Sequence, residues 1–180
     1  MRFCCYLTLL LLLNTCATAQ KGGGALSKKE QRSLAEARTT IDAERYGQAI
    51  AALSELIDKH PGDAELYFLR SVALRGERKY GEAAGDVRMG IEQSGGGGAR
   101  PYRELGELLS LSGNFAEAKA AYQTYYDRTV SSTDRGERIA QAKALLDRAG
   151  VADSIAANPV EFSPTPVPGA ATEVANYGKY

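Results

Sequence analysis

One interval constrains this chain more than any other property. Tyr46, Tyr80 and Phe115 stand 34 and 35 residues apart, and each is followed three places later by an alanine and four places after that by a bulky residue: Ala49 and Leu53, Ala83 and Val87, Ala118 and Tyr122. Such spacings set the side chains on one face of a helix. The stretch from Arg100 to Asp127 shows the whole unit. Tyr102, Leu105, Leu109 and Leu111 stripe a first helix, Phe115, Ala118, Tyr122 and Tyr125 a second, and Ser112-Gly113-Asn114 breaks the pattern between them. Two short helices cannot bury their own apolar face, so the repetition implies an all-α array in which each hairpin covers the next.

The order aromatic, small, bulky at this period resembles the tetratricopeptide repeat. In the third copy Tyr102, Leu105, Gly106, Leu109, Phe115, Ala118 and Tyr122 occupy the family's signature places. The second copy has Tyr67, Arg70, Ser71, Leu74, Tyr80, Ala83 and Val87 there, with Arg70 where leucine is usual. In the first copy only Ala37 conforms among Ser33, Glu36, Ala37 and Thr40, and Leu34 and Ile41 are expected to supply the apolar contacts, as suits a terminal repeat. The resemblance implies a right-handed α-solenoid of three hairpins, 30–63, 64–97 and 99–132, within a domain spanning 30–150. A capping helix over 133–149 closes it. Ile139, Ala142, Leu145 and Leu146 share one face of that helix, while Arg135, Glu137, Gln141, Lys143 and Asp147 largely cover the other. Ser131-Ser132-Thr133-Asp134 is expected to open it and Gly150 to end it.

Signature residues have packing reasons that do not depend on the family. Ala49, Ala83 and Ala118 on one helix, and Ala37, Ser71 and Gly106 on the other, are small where the two helices of a hairpin approach most closely. Bulk forced into such a contact costs about 1–3 kcal/mol, so Gly106→Leu is expected to destabilise far more than a change at Glu107. Helix punctuation keeps the same period. Pro61-Gly62 and the run Gly95 to Gly98 separate hairpins, Asp63 and Glu65 place acid at a helix start, and Pro101 sits in a first turn.

The two ends depart from the array. Arg2, the apolar run Tyr6 to Leu13 and Ala17-Thr18-Ala19 ahead of Gln20 read as a secretory signal peptide over 1–19. Its apolar run is far below the ~20 residues of a permanent membrane span, so no transmembrane segment is expected after cleavage. Cys4, Cys5 and Cys16 all lie inside it, which leaves a chain starting at Gln20 without a thiol for a disulfide, a nucleophile or a metal. Leu13-Asn14-Thr15-Cys16 also resembles a bacterial lipoprotein box, in which Cys16 becomes the acylated first residue. Cleavage after Ala19 and lipidation at Cys16 both stay open. Residues 20–29, with Gly22-Gly23-Gly24, are expected to form a flexible leader. Residues 151–180 hold Pro159, Pro164, Pro166 and Pro168 and read as an extended tail or linker. The run from Asn158 to Pro164 resembles the junction in Gram-negative envelope proteins that continue from such an array into a β-propeller and an OmpA-like peptidoglycan-binding module. These features imply export to the periplasm or the periplasmic face of the outer membrane.

Composition and the scarcity of reactive groups bound the chemistry. The chain carries 22 basic and 22 acidic side chains, which leaves no charge excess for nucleic acid. His60, the one histidine, stands before Pro61 at a repeat boundary and reads as an exposed loop residue. Gly95 to Gly98 lacks the strand and lysine of a phosphate loop and reads as a flexible connector. The acid pairs Asp42/Glu44 and Glu104/Glu107 read as solvated faces. No catalytic residue, cofactor or metal is expected.

What remains is surface. In tetratricopeptide arrays the first helices of successive hairpins line a concave groove, and the corresponding places here are Leu34, Arg38 and Ile41, then Phe68, Val72 and Arg75, then Arg103, Glu107 and Ser110. The resemblance implies an extended peptide lying there, with arginines meeting its carboxylates and Phe68 with Val72 forming an apolar pocket. The lysine and asparagine clamp that some members use for a terminal carboxylate is missing, since Leu34, Arg38 and Leu69 stand at its places. A non-enzymatic scaffold for a protein or peptide partner is the function implied. The alternative is a lipid-anchored accessory subunit of an outer-membrane assembly or secretion complex, or the front of an OmpA-like envelope protein.

Overall fold

The computed structural model describes residues 25–131 and 136–159; the signal segment with Cys16, most of the leader and the proline-rich end from residue 160 lie outside the described residues. Among the described residues there are α-helices and no strand: α1 (Lys28–Asp42), α2 (Tyr46–Lys59), α3 (Ala64–Gly76), α4 (Tyr80–Gln93), α5 (Arg100–Leu111), α6 (Phe115–Val130) and α7 (Glu137–Ala157). α1/α2, α3/α4 and α5/α6 are antiparallel hairpins, each packed on the next, and α7 lies along α6. This is the α-solenoid that the period demands.

Two buried clusters hold the stack together. Leu34, Leu53, Leu56, Ile57, Leu66 and Tyr67 join the first hairpin to the second. Leu74, Val87, Leu105, Leu108, Leu109 and Tyr122 join the second to the third, with Leu145 and Leu146 of α7 packed against them. The small residues sit at the closest approaches, since Ala37, Ala49, Ser71, Ala83 and Ala118 are all buried. At Gly106 a Cβ would come within 2.7 Å of the Tyr122 ring.

One turn closes every hairpin. Glu44, Arg78 and Gly113 have left-handed φ of 57°, 60° and 81°. The next amide reaches back to the first helix each time, Arg45 to the Thr40 carbonyl at 2.8 Å, Lys79 to Leu74 at 2.9 Å and Asn114 to Leu109 at 2.8 Å. Only the third hairpin places glycine where the backbone favours it.

Several expectations are corrected by the fold. α1 begins at Lys28, inside the expected leader, because Ser27 and Glu30 form a capping box: the Ser27 hydroxyl accepts from the Glu30 amide and the Glu30 carboxylate accepts from the Ser27 amide at 2.9 Å. Those Ser27 contacts first, and His60 to a lesser degree, hold the Glu30 carboxyl down at about 2. His60 is accordingly not an exposed loop residue. Its Nε2 lies 3.2 Å from Glu30 Oε2 with the ring largely shielded, because the antiparallel hairpin brings the end of α2 beside the start of α1.

The glycine connector is fastened. Gly95, Gly96 and Gly97 take φ of 69°, 96° and 51°, and the Gly96 amide donates to the Ile91 carbonyl at 2.8 Å. Arg128 of α6 donates to the carbonyls of Gly96 and Gly97 while its guanidinium stacks 4.4 Å from the centre of the Tyr102 ring.

α7 also differs from the expected capping helix. Ser132, Thr133 and Asp134 lie outside the described residues, and the helix runs from Glu137 through Gly150 to Ala157, so 151–157 belong to it and not to the tail. Ala142 and Ala149, one heptad apart, are both buried against α6, and Lys119 Nζ lies 3.4 Å from Asp153 Oδ2 beyond Gly150. A mid-helix glycine costs about 1 kcal/mol, which this continued packing outweighs. The expected apolar face holds, with Ala142 buried, Ile139, Leu145 and Leu146 half-buried, and Glu137, Gln141, Lys143 and Asp147 exposed.

Candidate protein-binding groove

Ion pairs run from one first helix to the next. Arg38 of α1 pairs with Glu65 of α3; Arg75 Nη1 of α3 lies 3.7 Å from Glu107 Oε2 of α5, and Arg103 Nε approaches the same carboxylate at 3.5 Å. Arg38 and Arg75 are each about half exposed (48%), so such pairs are worth at most about 1 kcal/mol and open at little cost to an incoming carboxylate. Val72, 42% exposed on α3, is an apolar side chain open to contact. Ser110 is half-buried beside Tyr122, whose hydroxyl pKa is pushed up by burial while Ser110 pulls it back.

Three of the expected groove residues serve packing. Leu34 is 7% exposed and belongs to the first core cluster, because Ser33 stands where Tyr67 and Tyr102 supply a ring and the neighbouring leucine fills that space. Ile41 is half-buried against the same cluster. Phe68 lies half-buried over Gly90 of α4, where a Cβ would come within 2.7 Å of the ring. The apolar pocket of Phe68 and Val72 therefore reduces to Val72. Of the places the resemblance implies, Arg75 of α3 and Arg103 of α5 meet at Glu107, while Arg38 of α1 meets Glu65 of α3.

Of the acids read as solvated, Glu104 and Glu107 are half-buried. Burial pushes the Glu104 carboxyl above the usual carboxylate range, with Arg75, Arg100 and Arg103 pulling it back and Glu107 adding to the rise. Asp42 and Glu44 are exposed as expected. Arg70 was visible in the sequence only as a departure from leucine. In the fold its Nε and Nη2 donate to the two oxygens of Asp86 at 2.7 Å each, and its Nη1 donates to Ser54 Oγ at 3.0 Å, tying α2, α3 and α4 together. Burial pulls at the charge of Arg70, but the Asp86 hydrogen bonds dominate and push its pKa further up.

No cluster of His, Cys, Asp or Glu able to hold a metal ion occurs among the described residues, and no helix there is long and apolar enough to cross a membrane.

The arrangement of the helices is similar to that of known solved structures. The TPR2B domain of yeast Sti1 in its pHsp70 complex superposes with a TM-score of 0.58 at 21% identity, covering 69% of this chain and 98% of that one. The fold is that of a tetratricopeptide-repeat domain. The Sgt2 TPR domain from Aspergillus fumigatus gives a TM-score of 0.58 at 16% identity over 82% of this chain and 96% of its own. The Yersinia enterocolitica type III secretion chaperone SycD, solved with a peptide of the translocator YopD, gives 0.61 at 14% identity over 71% of this chain and 97% of that one. Neither a protein-family model nor a curated protein matches the chain.

Proposed function

We propose that this chain is an exported, non-enzymatic scaffold of the bacterial envelope that binds an extended segment of a partner protein along α1, α3 and α5. The observation that carries this reading is the row of solvent-accessible, weakly paired side chains Arg38, Val72, Arg75 and Arg103 on successive first helices. Arginine held only by an exposed carboxylate exchanges that partner for another at little cost, and its planar fork suits carboxylates and backbone carbonyls of an extended chain. Two of the similar solved structures were determined with peptides of other proteins, which supports the same mode of use here.

Partner capture from envelope extract by the mature protein and by an Arg38→Ala/Val72→Ala/Arg75→Ala variant tests the groove. Loss of the specific partner with an unchanged melting curve supports it; equal recovery overturns it. Phe68 is left intact because its ring packs on Gly90.

A second reading, a lipid-anchored accessory subunit of an outer-membrane complex, rests on Leu13-Asn14-Thr15-Cys16. Mass spectrometry of the amino terminus separates the two. A diacylated Cys16 favours the anchored subunit, and a chain beginning at Gln20 favours the released scaffold.

A further inference from the structure

Three helix glycines of the array lie under aromatic rings, Gly76 under Tyr46, Gly90 under Phe68 and Gly106 under Tyr122, each with a ring atom within 2.7 Å of where a Cβ would stand. At Gly150 of α7 a Cβ would meet no atom within 4 Å among the described residues. This glycine floors an open cleft of about 540 Å³ between α6 and α7, with Leu146, Val151 and Ile155 beside it and Lys119 and Gln123 opposite. Val151 and Ile155 are 61% and 62% exposed, the most exposed large apolar side chains among the described residues. Gly81 and Gly85 of α4 are open as well, but neither has such a pair beside it. The chain leaves α7 over this same cleft. Asn158 follows Val151 by seven residues, close to two helical turns, and so stands on the same face; its amide and its side chain both donate to the carbonyl of cleft-lining Ser154, at 3.1 and 3.4 Å. A φ of −132° and ψ of 73° at Asn158 take the chain out of the helix, and Pro159 cannot resume it. Val160-Glu161-Phe162-Ser163-Pro164 follows, and its alternation sets Val160 and Phe162 on one side of an extended chain.

We propose that residues 160–164 fold back into this cleft, with the Phe162 ring over Gly150 and Val160 against Ile155. The lengths agree. Four residues from Asn158 to Phe162 extend about 13 Å, before the reach of the ring, and the eight from Gly150 to Asn158 rise about 12 Å along the helix. Attachment at the rim keeps the segment at a high effective concentration, which an untethered partner lacks. Pro159 and Pro164 carry no N–H, so seating the segment leaves fewer backbone donors to be satisfied. A second copy of the chain is the poorer occupant, because a stable interface takes ~800 Å² from each partner and the exposed apolar part of this face is two aliphatic side chains. Docked in this way, the segment covers the open apolar end of the array and fixes where the proline-rich stretch leaves the domain. It touches no first-helix groove residue, so the contact is independent of the scaffold reading.

The test reads a sign. With the cleft open, Gly150→Ala adds a good helix former at a site with room for it and raises the melting temperature; with the Phe162 ring on Gly150, the same methyl collides with the ring. In the mature chain Gly150→Ala is therefore expected to lower the melting temperature by about 2 °C, and in a Phe162→Ala background to raise it by about 2 °C. A shift of the same sign in both backgrounds overturns the inference. Nuclear Overhauser effects between the Phe162 ring protons and the Val151 and Ile155 methyls are expected in the mature chain, within one molecule. Their absence overturns the inference, and so does their appearance only between labelled and unlabelled molecules, which would make a second copy the occupant. Chymotrypsin is expected to cut after Phe162 about tenfold faster in Val151→Ser/Ile155→Ser than in the unaltered chain, because those exposed positions hold the segment without supporting the core. Equal cutting of the two folded proteins overturns it.

Discussion

In α3/α4 the large ring comes from the first helix, with Phe68 lying over Gly90; in α5/α6 it comes from the second, with Tyr122 lying over Gly106. Ser71 and Val87 occupy in the second hairpin the places that Gly106 and Tyr122 occupy in the third. The same inversion extends to charge. Arg70 and Asp86 form a two-pronged ion pair where the third hairpin has Leu105 and Ala121, and Asp86, Leu105 and Ala121 are equally withdrawn from water at 6%, 8% and 6% exposed. Two hairpins of one backbone design are thus filled by coupled pairs across the helices. At these places the size and charge of each residue are matched to the one opposite.

The largest break in this comparison is expected at the ion pair. Asp86→Ala leaves the Arg70 guanidinium without its partner and should cost about 3 kcal/mol by chemical denaturation. Arg70→Leu/Asp86→Ala, which copies the third hairpin, should recover most of that loss. Additive costs for the two changes would show that the pairs are not interchangeable.

Close behind is the glycine contact. Gly106→Leu should destabilise by about 3 kcal/mol and Glu107→Leu by less than about 0.5, read from thermal melts of both variants. Gly106→Ser/Tyr122→Val, which imports the Ser71 and Val87 pair, should cost less than the sum of its single changes. A sum that holds would separate the ring from the glycine and undo the coupling.

The turns sharpen the comparison from the other side. Arg78 holds a φ of 60° that Gly113 adopts without strain at 81°. Arg78→Gly should therefore stabilise by about 0.5–1 kcal/mol and Gly113→Ala destabilise by about 1 kcal/mol. Equal and opposite shifts in denaturation midpoint are the expected result.

The smallest effect concerns Glu104, which stands where the second hairpin has Leu69. Its folded-state pKa is raised, burial being the main cause, so its contribution to stability is full below the unfolded carboxyl value and is lost as pH rises through the folded one. Glu104→Gln should then stabilise slightly at pH 7, by less than the turn changes, and make no difference below about pH 4. Stability curves of both proteins from pH 3 to 8 check the sign; a variant less stable at pH 7 would show that the surrounding arginines outweigh burial.

Much of the fold is legible in the chain because the signals are local. The recurrence of Tyr46, Tyr80 and Phe115, the small residues beside them and the breaks at Pro61-Gly62 and Ser112-Gly113-Asn114 act through neighbours three or four residues away, which a one-dimensional reading captures. The groove places came from the resemblance to the repeat, and of them Arg75 and Arg103 share the Glu107 carboxylate. Leu34 was misplaced because its burial depends on the missing ring at Ser33, and Phe68 because its space is made by a glycine in another helix.

By itself, then, the sequence determined an array of three helical hairpins with a closing helix, since periodicity and helix breaking are properties of adjacent residues. Tertiary structure alone decided that Arg70 meets Asp86 and Ser54, that His60 faces Glu30, and that Arg128 fastens the glycine connector. Each of those contacts joins residues on different helices, and the direction of a long charged side chain is settled only when the packed helices fix which neighbours it can reach.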